Sequence, residues 1–259
     1  MTTAVRNCAR KVIPARVAKA IRVLRYPDSY TKVGPRNWTY DQDGLATKNN
    51  CDFMKDGLFI ESYNLGKSTE SWGNNEVHWR AYVCCWAADK AKILKGDFVE
   101  CGVNKGGYAL TVMNYVGFNK LGKRFYLLDT FSGLSDKYIT DEERKLGIKA
   151  GGYEDCYDSV VRTFRGWNVD IIRGTIPDTL PLVKASKICY LSIDMNCVTP
   201  EIAAAELFWE RMVSGAVMVL DDYGWPGHHV QKQAFDKFAS AREVRVLSMP
   251  TGQGLIFKP

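Results

Sequence analysis

Residues 218–225 read MVLDDYGW, an apolar run that stops at two adjacent aspartates, Asp221 and Asp222. Neighbouring carboxylates repel, and burying either is costly unless a cation or hydrogen-bond donors lie close. A second apolar run, ICYLSI, ends at Asp194-Met195-Asn196. If both runs are parallel strands joined by a helix, three carboxylates and one amide meet at adjacent strand ends. A hard divalent cation such as Mg²⁺ takes such oxygen donors, with water completing its octahedron. The plainer use is one aspartate capping a helix while the other pairs with Arg or Lys.

A different set of residues suits an organic cofactor. FVECGVNKGG carries Glu100 and then G-x-x-x-G-G, with Gly102, Gly106 and Gly107. Glycines there allow a tight turn and close approach of backbone to ligand. The spacing is not the G-x-G-x-x-G of dinucleotide sites. Asp129 follows Gly102 by 27 residues, at the end of FYLLD. A carboxylate at that strand end accepts ribose hydroxyls, or else serves as an ordinary turn residue. Arg173-Gly174-Thr175 ends another run, and its glycine turn leaves room for a flat base. His228 and His229 open the helical segment HHVQKQAFDKFA and offer proton acceptors near neutral pH, or are merely solvated. His78, in an earlier helical segment, reads as structural.

These residues need elements that bring them together. Short apolar runs occur at 97–101, 125–129, 169–173, 188–193, 216–220, 244–248 and 254–257, with longer segments between most of them. The stretch 200–213 predicts a helix, with Thr199 as N-cap, Pro200 at its first turn, and Ile202, Ala205, Trp209 and Met212 on one apolar face. Gly215 would follow its end. Strands alternating with helices predict a mostly parallel sheet covered on both faces. The last two runs are separated only by MPTGQ, too short for a crossover, so they should form an antiparallel hairpin. Ligands of such sheets bind at the carboxyl ends of the strands. Residues 76–259 are expected to form this α/β domain, and 1–75 an N-terminal arm and loop-rich cap. The segment 132–160, long and charged, with Gly147, Gly151 and Gly152 as hinges, is a candidate lid over the acceptor.

Bulk properties narrow the class. At 46% apolar and 25% charged residues, the 259-residue chain is an ordinary globular protein. Its net charge of +6 comes from residues 1–25, which hold seven basic residues and no acid. The rest is close to neutral, so no nucleic-acid partner is expected. The arm carries Val17, Ala20, Ile21 and Leu24 at helical spacing. It predicts an amphipathic helix that packs on the body, joins a second subunit in a homo-oligomer, or touches an anionic membrane surface. No apolar run approaches the roughly 20 residues of a membrane span. The basic N-terminus lacks the apolar core of a signal peptide, so a cytoplasmic location is expected. Eight cysteines without a C-x-x-C pair read as reduced and buried rather than as a zinc site.

The order FVECGVNKGG, LLDTFSGL, IIRGTIPDTLP, SIDMN, VLDDYG resembles the macrocin O-methyltransferase family, over roughly residues 76–259. The resemblance implies the class I methyltransferase fold, a Rossmann-like seven-stranded sheet with a C-terminal antiparallel hairpin. It implies S-adenosylmethionine as cofactor and a sugar hydroxyl, on a natural product or related glycan, as acceptor. Glu100 and Gly102 would then lie near the methionine moiety, Asp129 at the ribose, and Phe131 and Gly174 near the adenine. Asp194, Asp221 and Asp222 would hold Mg²⁺. The family often carries a second aspartate where this chain has Asn196. The chemistry is consistent: the sulfonium is an activated donor that must be oriented, and a metal lowers the pKa of a poor hydroxyl nucleophile. Asp194, His228 and His229 are the candidate proton acceptors. Three other readings stay open: a catechol-like phenol as acceptor, a nicotinamide-dependent oxidoreductase, and a non-catalytic module that kept the fold.

Overall fold

The structure, a computed structural model, describes residues 38–259. The basic arm and its expected contacts lie outside the described residues. Residues 40–259 form one compact unit.

A small hairpin, β1 (Tyr40–Gln42) and β2 (Leu45–Thr47), comes first. It turns through Asp43-Gly44, both at positive φ, as expected for a tight Asp-Gly hairpin. The main sheet has seven strands: β3 (Asp97–Cys101), β4 (Phe125–Asp129), β5 (Val169–Arg173), β6 (Ile188–Ile193), β7 (Met212–Leu220), β8 (Leu247–Ser248) and β9 (Gly254–Phe257). Their spatial order is β5-β4-β3-β6-β7-β9-β8. The first five in that order run parallel, β9 is antiparallel to β7, and β8 pairs back on β9. This is the sheet that the sequence predicts, including its closing hairpin.

Alternation along the strands divides the core between two faces. On one face Phe98, Phe125 and Tyr190 pack with α1 (Gly57–Lys67), α2 (His78–Ala91) and α3 (Gly107–Val116). On the other, Val99, Leu191 and Met218 pack with α6 (Val198–Trp209) and α7 (His229–Ser240). Two short helices, α4 (Asp141–Lys145) and α5 (Tyr157–Thr163), lie between β4 and β5. All six residues of β6 are buried, which is why its sequence is a continuous apolar run without alternation.

Three local expectations change. Residues 40–75 are not a loop-rich cap: they carry α1, whose Phe59 and Tyr63 are buried in the main core. Asp56 caps that helix by accepting the Phe59 N–H at 2.8 Å. At Gly66 an added Cβ would lie 1.9 Å from Thr111 Oγ1, so the absence of a side chain lets α1 and α3 touch. Second, α6 starts at Val198, with Cys197 rather than Thr199 in the cap position, and ends at Trp209. Met212 belongs to β7, paired with Ile188, and Gly215 lies within that strand. No Gly or Pro marks the boundary at 210–211, and an apolar residue fits a helix face and a buried strand equally well. Third, the run 244–248 is strand only at Leu247–Ser248.

The register positions the site. Cys101 is level with Ile193, and Ile193 with Leu220. Hydrogen bonding continues one residue past the strands: Gly102 N–H donates to Leu128 O, Asp194 N–H to Cys101 O, Asp221 N–H to Ile193 O, and Gly174 N–H to Asp129 O. Four polar strand ends are therefore held along one edge of the sheet. Among the described residues, no helix is long and apolar enough to cross a membrane, and the seven cysteines described are free and buried.

Candidate active site

A cleft of about 290 Å³ opens at this edge, lined by residues from the ends of β3, β4, β5, β6 and β7. Its size suits a small-molecule ligand.

Gly102, Asp129, Phe131 and Gly174 all line the cleft. Gly102 has φ +90, and an added Cβ would sit 1.7 Å from the Asp194 carbonyl oxygen. The turn after β3 thus passes directly against the loop after β6, and only glycine fits. Asp129 has protein partners of its own. Its Oδ2 accepts the Val103 and Asn104 N–H groups at 2.6 and 2.8 Å, and its Oδ1 accepts the Phe131 N–H at 2.7 Å. The carboxylate therefore staples the glycine turn while facing the cleft. A carboxylate has about four acceptor positions; the fourth faces Thr130 Oγ1 at 3.3 Å, whose shorter bond goes to Gly133 O at 2.6 Å, so a ligand hydroxyl takes it in competition with Thr130.

Glu100 and Gly106 are placed differently. Glu100 is buried behind the turn, with one oxygen lacking any hydrogen-bond partner. Burial first, then Asp221 and Asp129, pushes its carboxyl well above the usual range. Gly106 does not face the cleft: an added Cβ would meet the Phe164 ring at 2.4 Å. Its glycine serves packing. The wall opposite the turn comes from the segment before α2. Ser71 Oγ accepts the Gly107 N–H at 2.8 Å, Ser71 O accepts from Asn104, and Trp72 lines the cleft.

At the other end stand the three aspartates. Oxygens of Asp194, Asp221 and Asp222 lie within 4.8 Å of one another. Burial, then Asp221 and Asp222, raises the Asp194 carboxyl well above its ordinary value. Burial and then Asp221 push Asp222 up to about 7. Asp222 Oδ2 is buried without a hydrogen-bond partner. Mutually repelling carboxylates with an orphaned oxygen, all hard donors, fit a divalent cation. Asp221 is more committed: Gln253 donates to Oδ1 at 3.0 Å, and Arg80 to Oδ2 at 2.5 Å. Asn196, at φ +54, directs its amide toward Asp194 Oδ1 at 3.4 Å.

The two histidines part company. His228 Nδ1 lies 3.7 Å from Asp222 Oδ2 and 3.0 Å from Gln231 Nε2. Burial lowers its pKa, against the pull of Asp221 and Glu143, so it is neutral at pH 7. His229 turns to Glu142 at 3.9 Å and is half exposed. His78 stacks on Tyr63 at 4.1 Å, a packing role.

Several supporting residues escaped the sequence reading. Glu201, buried on α6, accepts the Met195 N–H at 3.2 Å and so shapes the loop after Asp194. Glu143, buried at the capping box of α4, accepts the Val198 N–H at 2.6 Å and ties segment 132–160 to the start of α6. Tyr138 and Tyr153 of that segment line the cleft. An acid in an amphipathic helix ordinarily reads as solvent-facing, so burial of Glu201 and Glu143 left no mark in the sequence. The Asp43-Gly44 turn did carry a signal, a D-G pair between short β-prone runs. Replacing Glu201 by alanine should leave the Met195 N–H without its acceptor, at about 1–3 kcal/mol. Glu201→Gln keeps an acceptor. The expected result in thermal unfolding is a clearly lower Tm for the alanine variant than for the glutamine one; equal Tm values would refute this role for Glu201.

Comparison with known proteins places this geometry. The profile of the family described as macrocin O-methyltransferase (TylF) matches residues 83–249, more than half of the chain. No curated protein sequence matches. Among solved structures, the O-methyltransferase NovP is similar at TM-score 0.59 and 18% identity, over 69% of this chain and 79% of that one. CalS11, a calicheamicin methyltransferase, is similar at TM-score 0.55 and 14% identity, over 88% of this chain and 99% of that one. At such identities the likeness is one of fold, and it is the class I methyltransferase fold expected from the motifs. The oxidoreductase reading falls, since the matched family transfers methyl groups and the glycine turn lacks the dinucleotide spacing. The chain belongs to the macrocin O-methyltransferase family and is an S-adenosylmethionine-dependent O-methyltransferase.

Proposed function

We propose that the enzyme methylates a hydroxyl of a sugar or glycosylated natural product, with Mg²⁺ at the aspartate triad. The observation that carries this reading is the placement of Asp194, Asp221 and Asp222 in the same cleft as the Gly102 turn and Asp129. The family's description as macrocin O-methyltransferase supports the acceptor class. So does the similarity to CalS11, described as a TDP-rhamnose 3'-O-methyltransferase, at TM-score 0.53 and 12% identity over 95% of each chain.

In this reading Gly102 and the turn to Gly107 hold the methionine end of the cofactor, beside Ser71 and Trp72. Asp129 accepts a ribose hydroxyl, and Phe131 and Gly174 flank the adenine. Mg²⁺ bound by the triad would lower the pKa of the acceptor hydroxyl and fix its direction. Among the three candidate proton acceptors, Asp194 lines the cleft, so it takes the hydroxyl proton. His228 instead pairs with Gln231, and His229 faces the segment 132–160. Asn196 orients Asp194 through its amide and takes no proton. Tyr138 and Tyr153 place an aromatic wall over the acceptor, and segment 132–160 acts as a lid hinged beside the Glu143 anchor.

Calorimetric titration of S-adenosylmethionine tests the cofactor site. The expected result is saturable binding by the wild type, weakened by about thirtyfold in Asp129→Asn through loss of a charge-assisted acceptor worth about 1.5–3 kcal/mol. Methyl transfer from labelled S-adenosylmethionine is then measured on nucleotide deoxysugars, glycosides and catechol, with Mg²⁺ or EDTA. Turnover of sugars that EDTA abolishes is expected. Turnover of catechol alone would move the acceptor class to phenols.

A further inference from the structure

Asp221 is engaged before any metal arrives, and the residue that engages it is a cation. Arg80 projects from the first turn of α2, just outside the span matched by the family profile. Its Nη1 lies 2.5 Å from Asp221 Oδ2. Its other edge grips Asp43 at the β1–β2 turn, Nε to Oδ2 at 2.7 Å and Nη2 to Oδ1 at 3.2 Å. The guanidinium lies 5.3 Å from the Trp225 ring centroid and 6.0 Å from that of Tyr108. Its side chain is 15% exposed, that of Asp43 11% and that of Asp221 3%. A guanidinium gripped on two edges and packed between aromatic rings has little freedom to leave. The remaining Asp221 oxygen is held by Gln253, itself fully buried.

We propose that Arg80 is the built-in cation of the aspartate triad, a positioning residue that fixes Asp221 and weakens the triad's hold on a divalent ion, with Asp43 tuning the effect. The inference rests on the reading of the triad as a metal site. A divalent ion held by Asp194, Asp221 and Asp222 would share Asp221 with the guanidinium, which is mostly buried, and like charges repel strongly where water is scarce. Three carboxylates alone would over-bind a hard cation; one fixed positive charge offsets a third of theirs. Asp43 withdraws part of the Arg80 field, so the small N-terminal hairpin reaches the metal site through one ion pair. The unpartnered Asp222 Oδ2 shows that Arg80 does not satisfy the triad by itself, so Arg80 modulates a metal site and does not replace it.

Mn²⁺ is the probe, with its affinity for the full-length protein measured by electron paramagnetic resonance. S-adenosylmethionine affinity and the unfolding temperature serve as checks on folding. Arg80→Gln is expected to bind Mn²⁺ about tenfold tighter than the wild type, and Arg80→Lys, which keeps the charge, within about threefold of it. Asp43→Asn, which frees the Arg80 charge and removes a nearby negative one, is expected to bind several-fold more weakly. If wild type binds Mn²⁺ and a folded Arg80→Gln binds it no more tightly, the inference is overturned while the metal reading stands. If Arg80→Gln does not fold, Asp43→Asn decides: unchanged affinity overturns the inference. Binding by Arg80→Gln but not by the wild type supports the inference and removes the metal from the native reaction. Binding by neither overturns both, with S-adenosylmethionine affinity still reporting on the cofactor site.

Discussion

Asp194→Asn is expected to lower kcat by about a thousandfold, within the range of general-base contributions, while S-adenosylmethionine affinity changes by less than about threefold. The substitution keeps the shape of the side chain and removes its charge and its capacity to take a proton. The main-chain framework should survive, because the Asp194 N–H still donates to Cys101 O and its carbonyl still abuts Gly102. Asn196 would then face a second amide, leaving no carboxylate at the end of β6. Steady-state turnover on the sugar acceptor that the wild type uses, together with calorimetry of cofactor binding, reads both halves. A variant within tenfold of wild-type kcat would remove Asp194 from proton transfer and return His228 to consideration, since that neutral imidazole is 3.7 Å from Asp222.

The second large effect is expected from Gly102→Ala. A left-handed backbone costs a non-glycine residue about 1–2 kcal/mol. Here the new Cβ also falls 1.7 Å from Asp194 O and 2.4 Å from its carbonyl carbon. Neither atom can rotate away, because the Asp194 backbone is held by the sheet and by its N–H bond to Cys101 O. The turn and the β6 loop must move apart, which opens the cofactor pocket and displaces the triad together. A loss of about 4 kcal/mol in denaturant unfolding, an exceptional value for a single methyl group, should accompany loss of measurable S-adenosylmethionine binding. An alanine variant with wild-type stability would mean that the close approach of these two loops is not as described.

How much of this was legible beforehand depends on the physical range of each feature. Apolar runs at 97–101, 125–129, 169–173, 188–193 and 254–257 became strands with those same bounds, because short apolar runs are what a sheet covered by helices requires, most fully at the central strand 188–193. The closing hairpin followed from chain length alone, since MPTGQ cannot span a crossover. Gly102, Asp129, Phe131, Gly174 and the three aspartates line one cleft because each sits at the last residue of a strand or one or two residues past it, and a parallel sheet collects such positions on one edge. Helix α1 was missed where its buried stripe of Phe59 and Tyr63 is interrupted by polar and glycine residues that pack closely on α3.

The sequence by itself determined the alternation of strands and helices, the sheet edge where the site lies, and the chemical types gathered there, because these depend on local periodicity and on the geometry of parallel strands. Only the tertiary structure decided which charges face one another. Asp43, Arg80 and Asp221 are 37 and 141 residues apart along the chain, and Glu143 reaches Val198 across 55. Gly106 and His229 had suitable types at suitable spacings, yet they face Phe164 and Glu142 instead of the cleft. Side-chain direction and long-range pairing arise from packing between elements, which no local pattern encodes.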